Sequence, residues 1–169
     1  EEALDGVAGA AVVMDPRNGD VLALASSPAY DPNDFVPTLS VEVWDRLRAD
    51  PAQPLRNRAA AGSYAPGSVF KPVAALAALT PQGNEPPDYT LATVLEDEPL
   101  AIETPEGDWE PGNHDEEFRG MVTLRQAMEH SYNIPMIRLG MELGPRRVVR
   151  AARRLGIRSR LRGVPSLVL

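Results

Sequence analysis

Residues 67–72 read Gly-Ser-Val-Phe-Lys-Pro, and this stretch holds the chain's only lysine; every other member of its 17 Lys plus Arg is arginine. Proline is tolerated in a helix only in the first turn, where its missing N–H has no partner to lose. Pro72 therefore sets a helix start close to Ser68, just after Pro66-Gly67, and the run Val-Ala-Ala-Leu-Ala-Ala-Leu carries the helix to Thr80-Pro81. Residues i and i+3 share a helix face, so the Ser68 hydroxyl and the Lys71 amine come within reach of each other. A serine hydroxyl needs a base beside it to become a nucleophile. Lysine serves when burial or a neighbouring cation lowers its pKa, whereas arginine keeps its proton throughout the accessible range. The helix N-terminus adds partial positive charge where an oxyanion would develop. Ser and Lys at this spacing also occur on ordinary surface helices; the solitary lysine and its place at a helix start favour the chemical reading. Hydrogen-bond distances near 2.6–3.2 Å between the two, or looser ones without ligand, are expected.

The rest of the chain sets limits around this pair. Its 169 residues suit one domain or most of one, and 43% hydrophobic with 24% charged residues is ordinary for a globular protein. Seventeen Pro and 13 Gly imply long connections. The formal net charge of -7 argues against nucleic acid as a partner. Without cysteine there is no disulfide framework and no Cys-based metal site. No apolar run approaches the length of a membrane helix, and no signal peptide is visible at Glu1. The abrupt opening Glu-Glu-Ala-Leu-Asp-Gly reads as a piece of something longer.

Two apolar runs around Pro16-Arg17-Asn18-Gly19 predict a hairpin over about 9–27, and their near-continuous apolar character predicts a sheet covered on both faces. Ser40 is placed to cap a helix carrying Val41, Trp44 and Leu47 that ends at Pro51. The nucleophile helix spans about 68–79. Residues 81–120, rich in Pro, Gly, Asp and Glu, read as an irregular acidic excursion with one short strand near Leu100–Glu103. A helical region follows over about 123–156. Thr123 and Gln126 fit a capping box, Pro135 opens a second helix that stops at Gly144, and Pro145 opens a third that stops at Gly156. Ser131-Tyr132-Asn133 thus falls in a tight joint between two helices, where polar side chains can be pushed outward.

Ser-x-x-Lys at a helix start followed by Ser-x-Asn in a helix joint is the first two-thirds of the active-serine penicilloyl transferase pattern. The chain resembles the transpeptidase domain of penicillin-binding proteins over nearly its whole length. AVVMDPRNGDVLALASSPAYDPNDF resembles the opening hairpin of that domain, NRAAAGSYAPGSVFKPVAALAAL its nucleophile segment, and WEPGNHDEEFRGMVTLRQAMEHSYNIPMIRL with VVRAARRLGI the stretch carrying the second motif. The later segments lean toward the bifunctional members that pair a glycosyltransferase with the transpeptidase; Tyr-x-Pro-Gly-Ser is shared with the monofunctional ones.

The resemblance implies an α+β, β-lactamase/transpeptidase-like fold, with an antiparallel sheet that begins at the hairpin and a helical subdomain. It implies that Ser68 attacks the carbonyl between the terminal D-alanines of a peptidoglycan stem peptide, that Lys71 is its base, that Ser131 relays a proton to the leaving amine, and that Asn133 positions Lys71 and binds the substrate amide. β-Lactams would acylate the same serine, and no cofactor is implied. The implied setting is the cell envelope, at the outer face of the bacterial cytoplasmic membrane or in the periplasm, with a membrane anchor upstream. The third motif, Lys-Thr/Ser-Gly, is not found: no Lys follows Asn133, and Arg162-Gly163 has the wrong spacing and context. The chain is therefore expected to be a partial domain over 1–169 whose remaining strands come from the rest of its own domain or from another chain completing the sheet. Two alternatives stand beside the transpeptidase: a β-lactamase or β-lactam sensor, and a non-catalytic domain of the same fold. Asn133 disfavours relatives with Ser-x-Val, and no Glu lies suitably downstream to activate a deacylating water. His130, Trp109 and Tyr132 read as structural, His114 as solvated, and the arginines 146, 147, 150, 153 and 154 as a solvated stripe.

Overall fold

The computed structural model describes residues 2–4, 6–83, 86–105 and 107–169. They form two compact units, residues 1–64 and 65–169.

In the first unit, β1 (Gly9–Met14) and β2 (Val21–Ser27) pair antiparallel from Gly9↔Ser27 to Val13↔Ala23, with a register shift at Met14↔Val21. The turn closes because Asp15 N–H donates to Asp20 O and Gly19 N–H to Asp15 O, both at 2.8 Å. Gly19 supplies the left-handed φ of 82° that this geometry demands. Helix α1 (Val41–Ala49) starts where Ser40 Oγ accepts the Val43 N–H at 3.2 Å, and it buries Leu47. The short helix α2 (Arg58–Ala61) lies against both strands, and Ser26 Oγ ties it to β2 by accepting the Arg58 N–H. The expected cover on both sheet faces is not present in this unit: Val12, Val13, Met14, Val21, Leu22 and Leu24 are exposed. A helix of four residues cannot shield a two-stranded sheet, which is marginal by itself.

The second unit is built around α3 (Lys71–Leu79), which follows a 3₁₀ turn over Gly67–Phe70. Val73, Ala74, Ala75, Ala77 and Ala78 are buried, and their small side chains let α5 (Ile134–Leu143) and α6 (Pro145–Arg154) approach closely. Between them, α4 (Leu124–Glu129) carries the capping box: Gln126 N–H donates to Thr123 Oγ1, and Thr123 N–H to Gln126 Oε1. Ile134, Met136, Ile137 and Leu139 of α5 are fully buried, and a closing 3₁₀ turn over Pro165–Val168 seats Val168 against Gly140.

The stretch 81–120 is more ordered than its composition predicts. It holds β3 (Val94–Asp97), β4 (Ile102–Thr104), β5 (Gly107–Trp109) and the first residue of β6 (Gly120–Thr123); residues 84, 85 and 106 lie outside the described residues. β4 and β5 form a hairpin, while β3 pairs antiparallel with β6 from Val94↔Thr123 to Asp97↔Gly120. The β3 partner lies across a long excursion, so no local pattern announces it. Alternation along β3 turns Leu95 and Asp97 inward, toward α5.

Candidate active site

The 3₁₀ turn places Ser68 and Lys71 on one face, since i and i+3 eclipse at three residues per turn. It does so through the backbone: Lys71 N–H donates to Ser68 O. Gly67, at φ 61°, turns the chain so that the Ser68 side chain faces solvent. The Lys71 side chain extends inward and is 1% exposed, the largest fully buried side chain of the described residues.

Lys71 Nζ crosses to the joint between α4 and α5. It donates to Ser131 O at 2.6 Å and to Asn133 Oδ1 at 2.7 Å, and lies 3.1 Å from Ser131 Oγ. The expected hydrogen bond from Ser68 is absent: among the described residues all three Nζ partners belong to the joint. The reason is that Ser68 is exposed on a turn, whereas the buried amine is drawn to the carbonyls that lack other donors. No carboxylate pairs with Lys71 among the described residues, and burial pushes its pKa below the ordinary 10.5.

Three oxygens, Ser131 O, Asn133 Oδ1 and Ser131 Oγ, lie within hydrogen-bond reach of Nζ, enough to accept all three N–H groups of an ammonium. Once the amine is neutral, two N–H groups serve Ser131 O and Asn133 Oδ1, and its lone pair can take a hydroxyl proton.

Ser131 presents both its carbonyl and its hydroxyl to one amine because its φ is 56°, a left-handed conformation costing a non-glycine residue on the order of 1 kcal/mol. The joint holds it there. Ser131 N–H donates to Met128 O, and Tyr132 N–H to Ala127 O. The Tyr132 ring stacks on His130 at 5.3 Å between centroids, and the Arg119 guanidinium lies 4.9 Å above it. Arg119 is itself held by Asp115 at 2.5 Å, which lowers the Asp115 pKa to about 2. Tyr132 is half-buried and packs against the core.

Sequence reading did not single out the residues that hold Asn133. Its side-chain Nδ2 donates to Gly112 O at 2.8 Å, and its backbone N–H to Asn113 Oδ1 at 2.7 Å. Pro111-Gly112-Asn113 shows only ordinary turn chemistry; its sole signal is membership of the WEPGNHDEEFRG segment. The arginine stripe also needs correction at one position. Arg147 is tied to the carbonyls of Ala77, Ala78 and Thr80 at the C-terminus of α3 and pairs with Asp88 at 2.8 Å.

Comparison with known proteins now decides the family. Residues 9–163 match the model of the penicillin-binding protein transpeptidase domain. The chain belongs to this family. Among curated relatives, peptidoglycan D,D-transpeptidase PbpA of Mycobacterium tuberculosis is 36% identical over 169 residues, covering 93% of this chain and 32% of that protein. Among solved structures, the penicillin G acyl-enzyme complex of penicillin-binding protein A from M. tuberculosis superposes with a TM-score of 0.79 at 32% identity, over 94% of this chain and 37% of that one. Penicillin-binding protein 2 from Helicobacter pylori gives 0.77 at 29% identity, over 94% and 29%. The architecture is thus the α+β transpeptidase fold. The chain spans about a third of the curated relative's length.

Proposed function

We propose that the protein is a peptidoglycan D,D-transpeptidase working through a serine acyl-enzyme, with Ser68 as nucleophile, Lys71 as base, Ser131 as proton relay and Asn133 as the holder of Lys71 and of the substrate amide. The observation that carries this reading is the setting of Lys71: a buried amine with no carboxylate partner among the described residues, hydrogen-bonded to Ser131 O and Asn133 Oδ1.

In acylation, Ser68 Oγ attacks the carbonyl between the terminal D-alanines of a stem peptide and its proton passes to Lys71 Nζ, directly or through Ser131 Oγ. The C–N bond then breaks, and Ser131 hands a proton to the departing D-alanine. An amine of a neighbouring stem peptide attacks the Ser68 ester, regenerates the hydroxyl and leaves an amide cross-link. A β-lactam enters at the first step, and its leaving amine stays tethered. The family's third motif, which anchors the substrate carboxylate and supplies an oxyanion amide, lies in this reading outside residues 1–169. The same reading assigns the protein to the cell envelope, at the outer face of the bacterial cytoplasmic membrane or in the periplasm.

The test is labelling of the full-length protein and its Ser68→Ala variant by a fluorescent penicillin, with the labelled peptide mapped. A long-lived adduct on Ser68, absent from the variant, is expected. Adduct on another residue refutes the assignment, and rapid release of hydrolysed penicillin favours a β-lactamase instead.

A further inference from the structure

Asn133 opens α5, yet its side chain does not cap that helix. Asparagine at an N-cap ordinarily accepts an N–H from its own first turn, which satisfies one of the helix's orphan donors. Here the Oδ1 of Asn133 is turned to Lys71 instead. The orphan donors are met from another segment: Asn113 Oδ1 accepts the Asn133 N–H at 2.7 Å and the Ile134 N–H at 3.3 Å.

Asn113 can do this because it is itself fixed. It is 5% exposed, and its Nδ2 donates to Asp97 Oδ1 at 2.7 Å and to Glu117 O at 2.9 Å. Asp97 is fully buried, and its Oδ2 accepts the Arg119 N–H at 3.1 Å. Strand alternation sends Asp97 inward beside Leu95, and its cross-strand partner Gly120 has no side chain to compete for the space. A buried carboxylate is costly to leave unpaired, and its one side-chain donor among the described residues is Asn113, so the orientation of the Asn113 amide is strongly determined.

We propose that Asn113, oriented by Asp97, is a positioning residue for the reaction: it accepts the Asn133 and Ile134 N–H groups at the start of α5 and so fixes the residue whose carboxamide holds Lys71. The proposal rests on the reading of Lys71 as the base for Ser68. Without Asn113, the start of α5 loses the acceptor that fixes Asn133, and Asn133 Oδ1 is no longer held against Lys71.

The test is a double-mutant cycle in the full-length protein with Asn113→Ala, Asn133→Ala and the double variant. It measures the acylation rate constant at saturating fluorescent penicillin, the dissociation constant of the initial complex and the thermal midpoint. Asn113→Ala is expected to slow acylation about tenfold or more with little change in initial binding, the scale of loss that misplacement of a reacting group produces. In the Asn133→Ala background the same change should have little further effect, because the group it positions is already gone. An unchanged acylation rate in folded Asn113→Ala overturns the proposal, as do fully additive losses. Should Asn113→Ala not fold, the exchange of Asp97→Asn with Asn113→Asp decides. It keeps an acceptor at 113 and a donor at 97, and must acylate faster than Asn113→Asp alone, in which two carboxylates meet; equal rates overturn the proposal. Ser68→Ala in the same assay separates the two layers: persistent labelling there sinks the nucleophile assignment and this proposal with it, whereas lost labelling with Asn113→Ala unaffected sinks this proposal alone.

Discussion

Lys71→Arg keeps the positive charge and nearly the length of the side chain, removes its capacity to be neutral and adds the bulk of a guanidinium. The site gives two separate magnitudes. Nζ sits 2.6 and 2.7 Å from two carbonyl oxygens with 1% of the residue exposed, so a guanidinium must force extra atoms into a filled space. Overpacking of that kind costs about 1–3 kcal/mol. In a domain of this size each kcal/mol lowers the thermal midpoint by about 2–4 °C, so the variant should remain folded at room temperature. The catalytic loss is larger. A general base contributes about 10²–10⁴ in rate, and arginine cannot replace it at any accessible pH. The assay is penicillin acylation of the full-length protein across neutral to alkaline pH, with a circular dichroism melt to establish folding. Wild-type acylation should rise with pH as Nζ loses its proton and then level off, at a lower pH than an ordinary lysine would give because burial depresses its pKa. The variant should be slow and flat. A folded Lys71→Arg protein with the wild-type rate and pH dependence refutes Lys71 as the base.

Stability should carry the same signature. The folded-state pKa of Lys71 lies below the unfolded value, so the unfolded chain binds more protons in the window from that depressed value up to about 10.5, and stability gains from Lys71 as pH rises through it. The midpoint of Lys71→Met relative to wild type should therefore fall as pH is raised through this window; a constant difference would show that Lys71 is not depressed. Gly140→Ala places a methyl group 2.5 Å from Val168 Cγ1 in the α5 core, and should destabilise by about 1–3 kcal/mol in urea unfolding despite a helix-propensity gain of about 1 kcal/mol. Arg147→Ala strips the donors from the Ala77, Ala78 and Thr80 carbonyls and should cost about 2 kcal/mol in the same measurement, with Arg147→Lys recovering only part because it lacks the planar fork.

The elements written in local chemistry were legible in advance. A proline can stand only in a first turn, so Pro72 located the start of α3. Gly19 marked the hairpin turn, Ser40 and Thr123 marked helix starts through their hydroxyls, and Gly144 marked the end of α5. The four polar residues of the two motifs stood out because nucleophile chemistry restricts which side chains can serve. Two parts of the site depended on contacts between segments distant in sequence. One was the direction of Lys71: spacing put its amine beside Ser68 and only the family resemblance put Asn133 next to it, while burial turned it to Ser131 and Asn133, about 60 residues away along the chain. The other was the support beneath Asn133. In sequence Asp97 and Asn113 sit among acidic and turn-forming residues and look like loop. They become a buried pair only when β3 finds β6 and turns Asp97 inward, because a hydrogen-bond partner brought by strand pairing leaves no mark in the local pattern of either segment. Local sequence thus determined where the candidate reactive groups lie along the chain, and tertiary packing decided which oxygens Lys71 faces.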